Sequence, residues 1–546
     1  MTDPGLEPAV PSPSEGRWKR WGLDALAGIS LANLLLLGTW HHLLYTGDSS
    51  DLYHMVRDPL THQVALVNLL GVGLVLGLSG RALASAMGEG LRSFFAYVVA
   101  VAVTFALVRL WVERIVADAG VVGMDPGDLL APAAVMLLLT VVLLVAVRLH
   151  PPWFRQGVRG ALLIMVPFAF FHVAQLVPVA AGFQEGPHLD SFDALPEATL
   201  VEDGSDSAAE DGSDVAPRAV VLVFDELDGD SLEAALQDDP GRYPELDRLR
   251  REAAYSPDVH TPGPHTLYSL PALSLGELLE RSRPLGPEEL EILRHGQDEA
   301  ELWDGRNSVF AGLREGGRRV ALTGWYHPYC RVLREALDAC HWSPWLHWIP
   351  ENDPQGWVRA SLVQWGSLLP YPELPAFLQN VRDVERTALD WAGDRRVDVL
   401  WVHHPLPHRP WLWEDESWFG RRFVWRDGEG YRRNLAEVDR FLGDLRERLR
   451  EEDLLERTAL MILSDHPQRY PANGVDLPPE DARIPLVVDL PWDDREVRVR
   501  SRCTPLYTGN LLHALLDGDL EGEDGGAASQ EAVDRWIWDQ GPAQCR

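Results

Sequence analysis

Two patterns of apolar residues divide this 546-residue chain. Before residue 183, each apolar stretch is about long enough to cross the ~30 Å hydrocarbon core of a bilayer. After residue 218, shorter apolar runs alternate with amphipathic helical patterns. We therefore expect a membrane domain over residues 1–182, with at least one further folded domain behind it. The five apolar stretches are Leu23–Leu44, His62–Leu78, Phe94–Val116, Leu129–Leu149 and Gly160–Gly182.

Basic residues mark one side of these predicted spans. They precede the first span and occupy the loops after the second and fourth, whereas the alternate loops offer only Arg57 and Arg114. By the positive-inside rule, the N-terminus is cytoplasmic and everything after residue 183 lies outside. A weaker span that is not inserted would reverse this final side, and the charge asymmetry argues against it. We therefore predict a multi-pass protein of the inner (cytoplasmic) membrane whose second half faces the periplasm or the outside.

Almost all of the net charge of −33 lies after residue 183. So acidic a surface repels nucleic-acid phosphate, and the chain has no basic stripe, so no nucleic-acid partner is expected. Residues 183–217 are rich in acidic and small residues and contain no lysine or arginine, which indicates a solvated, disordered linker. A similar acidic C-terminal tail covers residues 516–546.

The region between linker and tail, residues 218–515, has the pattern of an α/β domain. Near-continuous apolar strands alternate with amphipathic helices, which indicates a mostly parallel sheet with helices on both faces. Binding sites in such sheets form where strands end and loops begin. The predicted strands are 219–224, 319–324, 397–403, 458–464 and 484–490.

Acidic residues end two of these strands. Asp225 and Glu226 end the first strand, and Asp465 and His466 follow the fourth. Either pair could instead be a turn, because carboxylates are also favoured before a helix N-terminus. Two such strand ends together favour a shared metal site. Oxygen and nitrogen ligands of this mixture suit Mn²⁺, Zn²⁺, Mg²⁺ or Ca²⁺ without choosing among them.

Three histidines follow the third strand in a loop with prolines and tryptophans. They are His403, His404 and His408. A lone histidine is usually structural, but three in six residues indicate contacts to an anion or a leaving group.

The loop HTPGPHTLYSLPALSLG, from His260 to Gly276, supplies several hydroxyls. A metal-bound carboxylate cluster lowers the pKa of a nearby hydroxyl and polarises a phosphoryl or sulfuryl oxygen. A threonine of this loop could therefore attack an anionic ester.

The cysteines give a weaker signal. None of the four forms a CxxC pair, so a thiolate zinc site has no support. Cys330 and Cys340 could form a disulfide if this domain lies outside the cytoplasm, and two unpaired buried thiols are the alternative.

Taken together, these motifs resemble the sulfatase-like members of the alkaline phosphatase superfamily over about Arg218 to Leu515. Their order is a strand ending in FDE, then HTLYSLPALSLG, LPHRPW, YRRNLAEVDRFLGDL, LSDH and RIPLVVDLP. The membrane-anchored subgroup of this family includes lipoteichoic acid synthases and lipid A phosphoethanolamine transferases, which have about five spans followed by an external catalytic domain. The segments GWYHPYCRVL and ALDACHW also resemble bacterial sulfatase-like membrane proteins, which favours the Cys330–Cys340 disulfide.

The resemblance also selects a nucleophile. In true sulfatases it is a formylglycine made from Cys or Ser, ten residues before a glycine. Counting back ten from Gly276 gives Thr266, and Tyr268 and Leu270 stand where the maturation signal needs Pro and Arg. Threonine cannot become formylglycine, so the resemblance favours the phosphotransferase branch, whose unmodified threonine lies in a context like TLYSLP. Ser269 is the other candidate hydroxyl.

The other site residues follow from the same resemblance. It implies one divalent metal ion, held by Asp225 and/or Glu226, Thr266, Asp465 and His466. His408 would bind the charged group of the substrate or protonate the leaving group, and His404 and Arg483 would contact the substrate. Pro467 replaces the glycine that usually follows SDH, and the histidine that often precedes the final strand is absent. A two-zinc site is therefore not expected, and a degenerate, inactive domain stays open.

The sequence thus predicts a membrane-anchored, metal-dependent hydrolase or transferase. It would act outside the cytoplasm on phosphate esters of an envelope lipid or glycan, with Thr266 as the nucleophile. One alternative is a sulfate-ester hydrolase with an unusual nucleophile. The other is a binding protein that keeps the fold without the chemistry.

Overall fold

The chain folds into two compact units in a computed structural model. It describes residues 13–44, 53–54, 59–118, 130–183, 191–195, 218–344, 356–366, 374–410, 428–468, 482–493, 495–499, 504–520 and 528–544. The helical unit contains Met1–Thr46, Arg57–Gly186 and Trp348–Pro372, and the α/β unit contains Gly47–Val56, Pro187–His347 and Glu373–Arg546. Each unit therefore includes one short segment that lies, in sequence, within the other.

The described helices follow the apolar and amphipathic patterns of the sequence. A π-helical turn, Val67–Val72, joins α3 to α4. In chain order the helices are α1 (Pro13–Leu35), α2 (Leu37–Leu43), α3 (Pro59–Leu66), α4 (Gly73–Ala86), α5 (Glu89–Asp118), α6 (Leu130–Leu149), α7 (Pro151–Ile164), α8 (Val166–Ala180), α9 (Gly229–Asp238), α10 (Pro244–Glu252), α11 (Thr266–Leu275), α12 (Val309–Glu315), α13 (Tyr329–Val332), α14 (Gly356–Gly366), α15 (Leu374–Ala392), α16 (Gly428–Glu451), α17 (Thr508–Asp517) and α18 (Gln530–Gln544).

Helices α1 to α8 fit a membrane anchor. Among the described residues, three helical segments are long and apolar enough to cross a membrane: Pro59–Ala86, Glu89–Val108 and Pro151–Ala180. A shorter apolar helix covers Ala134–Leu149. Helices suit this role because they satisfy their own backbone hydrogen bonds where no water is present. Five spans and their orientation stay predictions.

Glycines let two of these helices approach closely. A Cβ added to Gly28 of α1 would lie 2.2 Å from the carbonyl oxygen of Gly73 and 2.4 Å from the amide nitrogen of Gly77, both on α4. Only residues without a side chain fit where two helix backbones pack against each other in this way.

Helix α14 packs within the helical unit, although the sequence predicts its residues as part of the 218–515 domain. Its Gln364 side chain accepts a hydrogen bond from Asn68 Nδ2 at 2.8 Å and donates one to the Thr61 carbonyl at 3.0 Å. The hydroxyl of Ser361 donates to Asn68 Oδ1 at 2.8 Å, and that of Thr39 donates to the Gln364 carbonyl at 2.9 Å. These buried polar groups are matched donor to acceptor, which is why a segment remote in sequence belongs to this unit.

The α/β unit is built on a nine-stranded sheet in the order β1-β8-β7-β9-β2-β10-β11-β3-β12, with a separate three-stranded sheet β4-β5-β6. The strands are β1 (Phe192–Asp193), β2 (Arg218–Asp225), β3 (Ala254–His260), β4 (Leu279–Pro284), β5 (Leu290–Arg294), β6 (Glu301–Leu302), β7 (Val320–Trp325), β8 (Ala339–Ser343), β9 (Val399–Pro407), β10 (Thr458–Ser464), β11 (Arg483–Asp489) and β12 (Val497–Arg498).

The five central strands of the large sheet run parallel, and β11 is antiparallel to β10. Strands β2, β9 and β10 are buried along their whole length, as their continuous apolar runs predict. Hydrophobic cores lie on both faces of the sheet, one containing Val221 and Trp401 and the other Leu222 and Leu400. The predicted fold class, apolar helices followed by a mostly parallel α/β domain, is confirmed.

Two elements lie inside stretches that the sequence predicts to be unstructured. Phe192 of β1 pairs with Cys340 of β8 within the predicted linker, most of which lies outside the described residues. Helix α18 lies within the predicted tail, and its Val533 and Ile537 are fully buried in a core. Apolar residues at helical spacing explain α18, despite the acidic composition around it.

Candidate active site

The candidate site lies at the carboxyl ends of three neighbouring strands. Asp225 ends β2, Asp465 directly follows β10, and His403 lies in β9, opposite Val223 of β2. All three side chains are at most 1 % exposed. Parallel strands bring their carboxyl ends to one edge of a sheet, so residues far apart in sequence meet there.

Asp465 is held by backbone amides on one oxygen only. Its Oδ1 accepts hydrogen bonds from the N–H groups of Glu226 at 3.2 Å and His466 at 2.7 Å. Its Oδ2 has no hydrogen-bond partner among the described residues. Burial raises the pKa of the Asp465 carboxyl, because a carboxylate is costly to remove from water. The charged form needs a cation at the open oxygen.

His466 presents a lone pair to the same place. Its Nδ1 lies 2.9 Å from the Pro467 carbonyl, and since a carbonyl only accepts, the proton is on Nδ1. In the neutral ring Nε2 then carries the lone pair, and it lies 3.4 Å from Asp465 Oδ2 and 3.8 Å from Asp225 Oδ1. A backbone carbonyl that orients a histidine in this way is typical of metal sites.

His403 is oriented by the same device. Its Nδ1 lies 3.1 Å from the Trp325 carbonyl and 2.8 Å from the Tyr329 hydroxyl. Nε2 is therefore unprotonated, lies 3.8 Å from Asp225 Oδ2, and has no hydrogen-bond partner among the described residues. Burial lowers the pKa of the His403 imidazole well below its usual range, so the ring is neutral.

These residues fit a divalent cation. Ligand atoms of Asp225, His403 and Asp465 all lie within 4.8 Å of one another. Carboxylate oxygens and imidazole nitrogens converge here, an arrangement that a positive ion stabilises. Two predicted ligands, Asp225 and Asp465, belong to this group, and His403 is added to it.

Thr266 lies beside this group. It is the first residue of α11 and is 3 % exposed. Its Oγ1 lies 3.3 Å from His466 Nε2 and 3.5 Å from Asp225 Oδ2, so it is the hydroxyl next to the cluster. The alternative hydroxyl, that of Ser269, donates instead to the His265 carbonyl at 3.1 Å.

Glu226 and His408 form a second pair. His408 Nε2 lies 3.8 Å from Glu226 Oε1, and its Nδ1 is bonded to the Arg409 carbonyl. The His408 amide donates to the Asp225 carbonyl at 2.9 Å, which ties this pair to the end of β2. Glu226 lies outside the compact cluster, so its role as a ligand stays a prediction.

The two predicted substrate contacts lie apart from the cluster. His404 packs between Phe224 and Phe441, and its Nε2 lies 3.4 Å from Glu385 Oε1. Arg483 begins β11 and donates to His260 Nδ1 at 3.0 Å, at the start of the loop that carries Thr266. Both roles stay predictions.

Strand periodicity could have separated the two adjacent histidines. Successive side chains of a strand point to opposite faces of the sheet. His403 therefore shares a face with Trp401 and His404 shares one with Val402, and these two residues belong to different cores. Register opposite Val223 of β2 then places His403, not His404, on the face of Asp225.

The loop after β7 is a further part of the site that the sequence did not identify. It follows Trp325, the last residue of β7, whose carbonyl orients His403, and Tyr326 in this loop has a left-handed φ of 65°. The structure also links Cys330 and Cys340, just beyond the loop, by a disulfide with a Cα–Cα distance of 5.4 Å.

The site therefore defines a class: an α/β fold with acids, histidines and a threonine at the ends of its central strands. Residues 289–469 match the family model for type I phosphodiesterase / nucleotide pyrophosphatase. This match confirms the resemblance to the alkaline phosphatase superfamily. None of the curated proteins matches this sequence.

Solved structures that this chain is similar to include several sulfatases. A putative sulfatase from Bacteroides fragilis is 16% identical, with coverage of 60% of this chain and 78% of that one and a TM-score of 0.36. A 2-O GAG sulfatase is 13% identical, with coverages of 59% and 75% and a TM-score of 0.40. A protein of the alkaline phosphatase superfamily from Vibrio parahaemolyticus is 15% identical, with coverages of 55% and 66% and a TM-score of 0.35.

Proposed function

We propose that this chain is a membrane-anchored, metal-dependent hydrolase or transferase of phosphate esters, with Thr266 as its nucleophile. The observation that carries the proposal is the buried convergence of acceptor atoms from Asp225, Asp465 and His403 beside the Thr266 hydroxyl. The apolar helices and the phosphodiesterase family match agree with an enzyme that works at a membrane on phosphate esters.

The chain's own ligands would hold one divalent cation. Asp225, Asp465 and His403 supply the compact set, and His466 offers its Nε2 at the same strand ends. When bound, such an ion would polarise a phosphoryl oxygen and lower the pKa of the Thr266 hydroxyl. Mn²⁺, Zn²⁺, Mg²⁺ and Ca²⁺ all accept donors of these kinds.

The reaction has two halves. Thr266 acts as its alkoxide, its proton having gone to solvent, and Oγ1 bonds to phosphorus as the bond from phosphorus to the leaving oxygen breaks. His408 gives its proton to that oxygen, so a neutral alcohol departs and Thr266 carries the phosphoryl group. An acceptor hydroxyl or water then returns a proton to His408 and bonds to phosphorus, which frees the Thr266 alkoxide.

Glu226 supports this role of His408. Its carboxylate lies 3.8 Å from His408 Nε2, the atom that would carry the proton given to the leaving oxygen. The Arg409 carbonyl holds the other nitrogen, so the ring is aimed at one position.

Phosphate is favoured over sulfate by the residues of the nucleophile loop. Thr266 cannot be converted to formylglycine, and Tyr268 and Leu270 stand where that conversion needs Pro and Arg. An external, membrane-anchored site fits an envelope lipid or glycan as the substrate, with the catalytic unit facing the periplasm.

The test uses the full-length protein in detergent, purified as wild type, Thr266→Ala and the control Ser269→Ala. Bound metal is measured by mass spectrometry, and turnover is measured on nitrophenyl phosphate, bis-nitrophenyl phosphate and nitrophenyl sulfate. We expect about one metal per chain, phosphate-ester turnover, and a loss of roughly 10³-fold or more in Thr266→Ala alone.

Three outcomes would contradict this proposal. Turnover of the sulfate ester only would favour the sulfatase alternative. No metal and no turnover would favour a binding protein that keeps only the fold. Turnover that survives Thr266→Ala and disappears in Ser269→Ala would move the nucleophile to Ser269.

A further inference from the structure

Tyr53 belongs to the α/β unit, although it lies between α2 and α3 in sequence. Its side chain is fully buried and lies in the same core as Val223 of β2 and Tyr329. The neighbouring His54 bonds through Nδ1 to the Tyr326 carbonyl at 3.0 Å. Tyr53 therefore completes the interior of the unit that carries the site, although the chain on either side of it leads to helices of the other unit.

A chain of two hydrogen bonds runs from Tyr53 to the nucleophile residue. His327 Nε2 lies 3.1 Å from the Thr266 carbonyl, and because a carbonyl only accepts, Nε2 carries the proton. His327 Nδ1 must then accept, and the Tyr53 hydroxyl donates to it at 2.8 Å. The hydroxyl of Tyr53 thus holds His327 in the orientation in which its Nε2 proton bonds to the Thr266 carbonyl.

The surroundings allow His327 little freedom. It is fully buried, and the rings of Trp303, Tyr326 and Tyr329 lie with their centroids 5.1 to 5.6 Å from it. Burial lowers the pKa of His327 to about 3, so the ring is neutral at working pH and the direction of both hydrogen bonds is fixed.

The residues on either side of the loop after β7 also orient His403. The Trp325 carbonyl and the Tyr329 hydroxyl both contact His403 Nδ1. Gly324 leaves the room for this, because a Cβ there would lie 2.9 Å from Tyr329 Cε2 and 3.0 Å from His403 Cβ. One loop therefore supports both the nucleophile residue and a residue of the candidate metal cluster.

We propose that Tyr53 and His327 are positioning residues for Thr266. Tyr53 holds His327, and His327 holds the Thr266 carbonyl, so that the Thr266 hydroxyl points at the end of β2. This inference rests on the proposed function, and it makes Tyr53, which lies between α2 and α3 in sequence, a part of the active site.

The first test compares two variants of the full-length protein with the wild type. Tyr53→Phe removes only the hydroxyl, and Tyr243→Phe is the matched control, because Tyr243 is equally buried and its hydroxyl donates to the Arg432 carbonyl at 3.2 Å in the other core. We expect Tyr53→Phe to lower kcat about 10- to 100-fold, the scale of a small misplacement of a reacting group, with KM changed far less. Tyr243→Phe should keep the wild-type kcat.

His327 gives a rescue experiment. His327→Gln keeps an amide that can donate to the Thr266 carbonyl, whereas His327→Leu keeps volume without a donor. We expect His327→Gln to retain at least ten times the kcat of His327→Leu. Equal kcat in the two variants, or a wild-type kcat in Tyr53→Phe, would overturn the inference.

A second readout separates this inference from the proposed function. Hydrogen–deuterium exchange of the peptide covering 262–275 is expected to be faster in Tyr53→Phe than in wild type and unchanged in Tyr243→Phe. If the wild type shows no turnover, the proposed function fails. The hydrogen–deuterium exchange result then tests the positioning role of Tyr53 by itself. Unchanged exchange in Tyr53→Phe would then overturn the inference.

Discussion

Polar clusters in the two units differ in how their groups are matched. In the helical unit, Arg81 and Arg159 both lie on Asp24, at 2.5 and 2.8 Å, and Asn68 pairs with Gln364. At the strand ends of the α/β unit, lone pairs of Asp225, Asp465, His403 and His466 face one another instead. A matched set stabilises the fold on its own, whereas an acceptor-only set needs a ligand. Whether the donors and acceptors of a polar cluster are matched with one another therefore indicates whether the cluster is structural or functional.

The largest expected effect comes from removing one acid of the acceptor-only cluster. Asp225→Asn should abolish metal binding and lower turnover by roughly 10³-fold or more. In metal-free protein the same change should raise the melting temperature, because it removes one of several facing negative groups. Metal content, turnover and thermal melting in the presence of chelator check this. A lower melting temperature in metal-free Asp225→Asn would contradict the comparison.

Adding metal should stabilise the wild type. A ligand that binds only the folded state at 100 times its Kd contributes ~2.7 kcal/mol. We expect the melting transition of the α/β unit to rise with added Mn²⁺ or Zn²⁺ and to fall with chelator, while Asp225→Asn does not respond. An equal rise in melting temperature in the wild type and in Asp225→Asn would show that the ion binds elsewhere.

A mutation in the matched polar cluster of the helical unit should destabilise the protein and leave metal binding unchanged, the opposite of Asp225→Asn. Asn68→Leu leaves Gln364 Oε1 without its donor in the helical unit, and the expected loss is about 1–2 kcal/mol, as for interhelical hydrogen bonds in membranes. Detergent-dependent unfolding measures this loss. Metal content should stay at the wild-type level, since Asn68 belongs to the other unit. Lost metal binding in Asn68→Leu would contradict that separation.

The smallest effect concerns an acid that supports the fold away from the site. Burial raises the pKa of Asp439 to about 6, and its Oδ1 accepts from the Leu246 amide at 2.8 Å. The folded state thus holds this proton more tightly than the unfolded chain, whose Asp has a pKa of ~3.9. Stability should fall as pH rises from about 4 to about 6. Asp439→Asn, which keeps an acceptor, should flatten this part of the stability profile measured by denaturant unfolding.

The sequence predicted the elements whose signals are local. Five predicted strands, 219–224, 319–324, 397–403, 458–464 and 484–490, correspond to β2, β7, β9, β10 and β11, because each is a continuous apolar run. The positions of Asp225 and Asp465 at strand ends follow from the same runs, since polar residues begin where the buried strand stops. Local patterns thus located the edge of the sheet where the candidate site lies.

The remaining parts depend on contacts that no local pattern carries. The role of His327 depends on the Thr266 carbonyl, and that of Tyr53 depends on His327. Both contacts join distant parts of the chain. Helix α14 joins the helical unit through the buried amide of Gln364, whose partner Asn68 is almost 300 residues away in sequence. Long-range pairing of single polar groups is visible only after the chain has folded.

The central claim is that the acceptor-only cluster is a cation site beside the nucleophile. The most direct measurement is a structure of the full-length protein with Mn²⁺, in which anomalous scattering locates the ion. We predict one ion at the ends of β2, β9 and β10, within ~2–2.5 Å of Asp225, Asp465 and His403 or His466 and adjacent to Thr266 Oγ1. An ion bound elsewhere, with these side chains closed on one another, would contradict the account.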